Sequence, residues 1–345
     1  MKYLILLLSL VFINCTKPEK KIANQVIPLD LNSSQPFEQI GNIVADKQIV
    51  VLGESQHGDG KTLEMKSRLL KYLIEEKGFN TIAFEGRGFL DMEILNTTTP
   101  LDSLAESLNK SALTSWYSSE QQMELNSAIM NNDLKFIGLE SYSYFVSREP
   151  DLFIEYLREF LETHFDYIEF VEWPKLKSIH YNISISNKEK ITEADIEFYR
   201  KTLTSIIHKI QSQIENSKNL EKEIALNSIR NAEKFAILFK SRWLFEEINY
   251  GVYNNLRDEQ MAINLLWHKK RNPNAKIIVW TANFHGAKEI RKIRYKEEEP
   301  EMYNNYTLLG EHLHQFYGDK LYSIAFTSSS GESGMVNQEP NEIIA

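Results

Sequence analysis

The chain carries a single cysteine, Cys15, in 345 residues. No internal disulfide can form, and no catalytic thiol exists downstream of that position. There is no Gly-rich phosphate loop, no Gly-x-Ser-x-Gly nucleophile elbow and no His-Glu-x-x-His pair. Phosphate-cradling loops, serine triads on an elbow and helical zinc-protease sites are therefore unsupported. The formal net charge is -9, and no basic cluster lies beyond the N-terminus, which argues against a nucleic-acid partner. No internal repeat is present. No segment after the first residues is long and apolar enough for a membrane-spanning helix. What remains is ordinary for a folded chain, with 42% hydrophobic and 25% charged residues.

The N-terminus reads as a targeting segment. Lys2 supplies a short positive region, Tyr3 to Ile13 form an apolar stretch of signal-peptide length, and Cys15 follows. A polar tether, Thr16-Lys17-Pro18-Glu19-Lys20-Lys21, comes next. This pattern resembles a bacterial lipoprotein signal whose cysteine is acylated, with plain cleaved secretion as the alternative. Both place the mature protein outside the cytoplasm, in the periplasm or at the cell surface. The only membrane contact expected is the N-terminal lipid anchor. The domain reading is a signal segment over 1–15, a tether and lead-in over 16–47, a main domain over 48–330 and a flexible Ser/Gly/Glu-rich tail over 331–345.

Apolar runs at 48–53, 80–85, 134–139, 276–281 and 321–326 read as strands. Helical spacing of Leu63, Met65, Leu69, Leu70, Leu73 and Ile74, closed by Gly78, predicts a helix between the first two. That strand–helix–strand unit should make its two strands parallel neighbours. Further helices are expected near 119–132, 254–271 and 306–317. Residues from about 151 to 250 are charged, helical in pattern and free of strand signals. The expected fold is α/β, a mostly parallel central sheet flanked by helices, with a helical insertion over its C-terminal strand edge.

The strand ends carry the chemistry. The first run stops on Gly53-Glu54-Ser55-Gln56-His57-Gly58, the second on Glu85, the third on Glu140 and the fourth on Thr281-Ala282-Asn283-Phe284-His285. Open α/β sheets act at this rim. His57 can take a proton from water, and Glu54 or Glu85 can orient it. A carboxylate just past a buried strand is costly unless it is paired or used. Asn283 can donate to an oxyanion or cap a helix. His312 and His314 are two apart and face different sides of a helix, which argues against a shared metal there. His164, His180, His208 and His268 lie in charged helical stretches and are expected to face solvent.

These residues resemble the erythromycin esterase family. The family's Gly-Glu-x-x-His-Gly segment corresponds to Gly53–Gly58, and a basic residue nine positions past its His corresponds to Lys66. Its Gly-Phe, strand, Glu element corresponds to Gly78-Phe79 through Glu85. Its Asn-x-x-Arg-Asp-x-x-Met-Ala-x-Asn segment corresponds to Asn254 through Asn264, and its Trp-Ala-His-Asn-x-His segment to Trp280 through His285. The chain departs from that pattern at Ala282, where the family has a histidine, and at Ser55-Gln56, where it usually has Ala-Thr. The resemblance implies cofactor-free hydrolysis of a small-molecule ester or lactone by an activated water. His57 would be the base, Glu85 its partner, and Glu54, Lys66, Arg257 and His285 would line the cleft. Arg257, Lys66 and Asn283 would stabilise an oxyanion, with Glu140 beside the substrate. Two other readings stand beside this one. Glu54, His57, Glu85 and His285 could instead serve a metal-dependent hydrolase. The loss at Ala282 could leave a ligand-binding lipoprotein without catalysis.

Overall fold

A computed structural model describes residues 35–98, 120–141, 151–165, 171–214, 220–244, 249–293, 303–334 and 341–344. The expected signal segment, Cys15 and most of the expected tether lie outside these residues. By its contacts the chain divides into Met1–Ile43 and Val44–Ala345. Helix α1 (Gln35–Ile43) is the described part of the first unit.

Strand β1 (Ile49–Glu54) is buried along its whole length, and so is β2 (Thr81–Gly88). Continuous apolar runs of this kind suit parallel strands covered on both faces. Between them lies α2 (Gly60–Lys77). Its N-terminus is capped by Asp59, whose carboxylate accepts the Thr62 N–H at 3.1 Å and the Thr62 hydroxyl at 2.7 Å. After α3 (Phe89–Thr98) and α4 (Met123–Asn131) comes β3 (Lys135–Glu140). Four helices follow: α5 (Leu152–His164), α6 (Trp173–Ser184), α7 (Glu193–Ile214) and α8 (Leu220–Phe239). The chain returns through α9 (Tyr250–Arg271) to β4 (Ile277–Ala282), a single turn α10 (Asn283–Gly286), α11 (Leu309–Tyr317) and β5 (Leu321–Phe326). A short antiparallel pair, β6 (Ser330–Ser333) and β7 (Asn341–Ile344), ends the chain.

The five-stranded sheet has the order β3-β2-β4-β1-β5 and is parallel throughout. The strand–helix–strand expectation is corrected here: β1 and β2 are parallel but not neighbours, because β4 lies between them. The local pattern specifies a crossover, and only the later strand decides whether it skips a position. The register aligns Glu54 with Ala282 and Phe326, and Phe84 with Trp280. The carboxyl ends therefore form one rim. In β2, Gly86 has φ of 77°, where an L side chain would be strained. The register with β3 shifts between Phe84 and Gly88 at this point.

Side chains of one parity, including Val51, Ala83, Ile137 and Val279, pack under Met261 and Leu265 of α9 and Leu309 and Leu313 of α11. Trp280 has the opposite parity and meets Lys66 of α2 on the other face. The insertion of α5 to α8 has its own apolar core, which takes in Phe89 and Leu90 just past β2. Trp267 of α9 closes on Phe89 edge-on at 5.1 Å.

Two expectations change. His180 and His268 are buried rather than solvent-facing. His180 lies between Leu176 and Ile183 on the buried stripe of α6, and His268 continues the Met261–Leu265 stripe of α9. Within the 331–345 tail, Asn341–Ile344 pairs with Ser330–Ser333, and Ser333 is buried.

Candidate active site

Glu54, the last residue of β1, is buried and holds two partners. Its Oε1 lies 2.9 Å from Nδ1 of His57, and its Oε2 accepts from Nζ of Lys66. Lys66 comes from α2 and is fully buried, with its ammonium 4.0 Å from the Trp280 ring centre and 3.3 Å from the Thr281 carbonyl oxygen. Burial pushes the Lys66 ammonium below its usual range, against the pull of the Glu54 and Glu85 charges. His57 is the exposed member, with 42% of its side chain accessible. Because Nδ1–H donates to Glu54, the imidazole is held in the tautomer whose basic nitrogen is Nε2.

The second group centres on Arg257 of α9. Its Nε donates to Glu140 Oε2 at 3.1 Å, and its Nη2 donates to Glu140 Oε1. Nη2 also reaches Glu85 Oε1 at 3.0 Å. Glu85 accepts from the Thr281 hydroxyl at 2.7 Å and from the Ala282 N–H at 2.9 Å. Burial pushes the Glu85 carboxyl up. The charges of His285 and Arg257, the Thr281 hydroxyl and nearby His57 outweigh it and hold the group ionised well below the usual range. Burial likewise opposes the Arg257 charge, and Glu140 and Glu85 overcome it.

His285 belongs to the second group. Nδ1 is 2.8 and 2.9 Å from the two oxygens of Asp258, which also accepts the Leu309 N–H at 2.8 Å. Nε2 is 2.9 Å from Nη1 of Arg257 and 3.3 Å from Oε1 of Glu85. These contacts make opposite demands: the guanidinium needs a lone pair on Nε2, and the carboxylate needs a proton. Burial pushes the imidazole pKa down, but Asp258 and Glu85 raise it overall. We therefore assign Nδ1–H to Asp258 in both states and place the titrating proton at Nε2.

The site thus brings together Glu54, His57, Lys66, Glu85, Glu140, Arg257 and His285. Asn283 packs beside Gly53, with its side-chain amide donating to the Phe326 carbonyl oxygen at 2.8 Å. The direct partner of the His57 ring is Glu54, while Glu85 anchors Arg257 and Thr281. Lys66 and Arg257 point their N–H groups at carboxylates. Four acids, Glu54, Glu85, Glu140 and Asp258, outnumber the two cations Lys66 and Arg257, so the cluster is formally anionic when both imidazoles are neutral. Among the described residues no group of three or more His, Cys, Asp or Glu side chains could hold a metal ion. Sequence reasoning gave no role to Asp258, although it follows Arg257 directly on α9. Nor did it give a role to Asn264, which donates to the Leu139 carbonyl oxygen at 3.0 Å and to Asn231 of α8 at 2.8 Å. That pair ties the insertion to the end of β3. A cleft of about 440 Å³ lies at the other end of the strands, beside Thr81, Lys135 and Arg271. Arg271 is paired there with Glu223.

Fold and site define a parallel α/β protein with an acid–base cluster at the carboxyl rim of its sheet. The chain belongs to the erythromycin esterase family, whose model matches residues 74–342. That span includes Glu85, Glu140, Arg257, Asp258 and His285 and begins after Glu54, His57 and Lys66. Erythromycin esterase type II of Escherichia coli is 23% identical over 354 residues, covering 93% of this chain and 79% of that protein. A mutant of the erythromycin esterase EreC, solved in its open conformation, matches with a TM-score of 0.69 at 19% identity, over 87% of this chain and 75% of its own. A succinoglycan biosynthesis protein matches with a TM-score of 0.66 at 18% identity, over 94% and 79%. The solved structures are likenesses of fold. Family membership supports a hydrolase.

Proposed function

We propose that this protein hydrolyses a small-molecule ester or lactone, without a metal, using water activated by His57. The observation that carries the reading is the Glu54–His57 pair: a buried carboxylate fixing the tautomer of the one imidazole in the cluster that reaches solvent well. Nε2 takes a proton from water as the water oxygen bonds to the acyl carbon. The acyl C–O bond then breaks, and the imidazolium returns that proton to the leaving alkoxide, giving an acid and an alcohol. The anionic cluster stabilises the imidazolium, the part played by the buried acid of a serine triad. Metal independence is supported by the partners of the carboxylates, since Glu54, Glu85 and Glu140 are already ion-paired with Lys66 or Arg257.

The test is a panel of esters and lactones, macrolides included, turned over by purified protein before and after chelation. Loss of activity in His57→Ala and indifference to chelation are expected. Turnover unchanged in His57→Ala, or abolished by chelator, overturns the mechanism. Ligand retention with no turnover of any member would point instead to a binding protein.

We also propose export and acylation at Cys15, on the strength of Lys2, the apolar stretch Tyr3–Ile13 and the lone cysteine. Among the described residues no helix is long and apolar enough to cross a membrane. Labelled fatty acid should enter the full chain and not Cys15→Ser, and equal labelling would refute the anchor.

A further inference from the structure

The loop that carries His57 is gripped by the chain beyond β5. Ser328 donates its hydroxyl to Asp59 Oδ2, and Ser333 donates to Gln56 Oε1. The Gly334 N–H donates to the Gly58 carbonyl oxygen at 3.2 Å, and the Ser55 N–H to Phe326 O at 3.1 Å. The approach is close: a Cβ at Gly58 would stand 2.6 Å from the Gly334 carbonyl oxygen. Pairing of β6 with β7 holds Ser330 to Ser333 extended while they make these contacts.

We propose that Ser328–Gly334 is a clamp that positions the base, and that Ser328 and Ser333 are positioning residues for His57. Two routes lead from them to the imidazole. Gln56 and Gly58 flank His57 directly, so fixing both fixes its Cα. Asp59 caps α2, which carries Lys66, and Lys66 holds the far oxygen of the Glu54 that holds Nδ1. A short, partly exposed turn has few contacts of its own to select one conformation. With both ends tied to β5 and β6, the Glu54–His57 distance becomes a property of the fold. A displacement of about 1 Å at a reacting group can cost on the order of 10²-fold in rate.

This inference rests on His57 as the base, and its first test needs no substrate. In the full chain, ¹⁵N spectra of the His57 ring, assigned with His57→Gln, should show the single tautomer protonated at Nδ1. In Ser328→Ala/Ser333→Ala, and in Gly58→Ala, the other tautomer should appear while the far-ultraviolet spectrum is retained. Ser328→Thr, which keeps the hydroxyl, should behave as wild type. On any ester the panel identifies, the double variant should lose about tenfold or more in kcat with KM within about twofold. An unchanged tautomer in the folded double variant overturns the clamp, as does Ser328→Thr behaving like Ser328→Ala. Should the double variant not fold, the single alanine variants are read by the same criteria. Absence of any ester turnover would count against the hydrolase reading and leave the spectroscopic result standing.

Discussion

Glu54 grips Nδ1 of His57 at 2.9 Å with one oxygen and the fully buried ammonium of Lys66 with the other. One carboxylate thus sets the tautomer of the exposed imidazole and neutralises an interior cation. Replacing Glu54 by Gln lets the ring adopt either tautomer and removes the charge that stabilises its protonated form. The expected result is a fall in kcat of about 10²- to 10⁴-fold, with KM little changed. Steady-state kinetics of wild type and Glu54→Gln over pH 5–9 check it, and a change confined to KM would contradict it.

Lys66 separates packing from charge. Lys66→Met keeps the stem's volume over Trp280 but strands the Glu54 carboxylate in the interior. Breaking a buried pair by removing one partner costs about 3–5 kcal/mol. Lys66→Met/Glu54→Gln should recover much of that loss. Denaturant unfolding of wild type, both single variants and the double variant gives the coupling, and additive losses would show that the pair is not the cause.

Arg257 spans Glu85, Glu140 and His285 with a planar fork. A lysine cannot reach all three, so Arg257→Lys should behave as a severe change. Glu85 and Glu140 would then face each other with one point charge between them. Loss of stability of about 2–4 kcal/mol and of most activity is expected, and near-native unfolding of Arg257→Lys would refute the account.

Glu93 on α3 is buried, and burial pushes its carboxyl up to about 7 against the pull of Arg271. The folded state therefore holds this proton more tightly than the unfolded chain does. Its contribution to stability is full below the ordinary value of 4.5 and is lost as pH rises through about 7. Glu93→Gln should match wild type near pH 4 and exceed it at pH 8 by up to about 3 kcal/mol. His285, raised overall by Asp258 and Glu85, adds to the same alkaline loss. Urea unfolding at the two pH values decides the sign, and a Gln variant less stable at pH 8 would contradict it.

Much of the site was legible because buried parallel strands read as unbroken apolar runs. An acid that ends such a run stands out against its surroundings. Glu54, Glu85 and Glu140 were found in that way, and the strand-to-helix turn exposed His57. Lys66 and Arg257 entered only through the family resemblance, since a basic residue on an amphipathic helix looks like any solvated one. Asp258 was passed over for the same reason, although it sits on the face of α9 that carries Met261 and Leu265. His180 and His268 were misjudged because the charged stretches around them outweighed their place on the buried stripe of each helix. Their spacing from Leu176 and Leu265 held the signal.

Hydrophobic periodicity is a local property, so element type, the parallel sheet and the acids at its rim follow from the order of residues alone. Pairing is not local. Insertion of β4 between β1 and β2, the turning of Asn283 toward Phe326, and the grip of Ser328 and Ser333 on the His57 loop arise from segments far apart in the chain. Their burial against one another is favourable only once the whole sheet has closed, and no run of residues announces it.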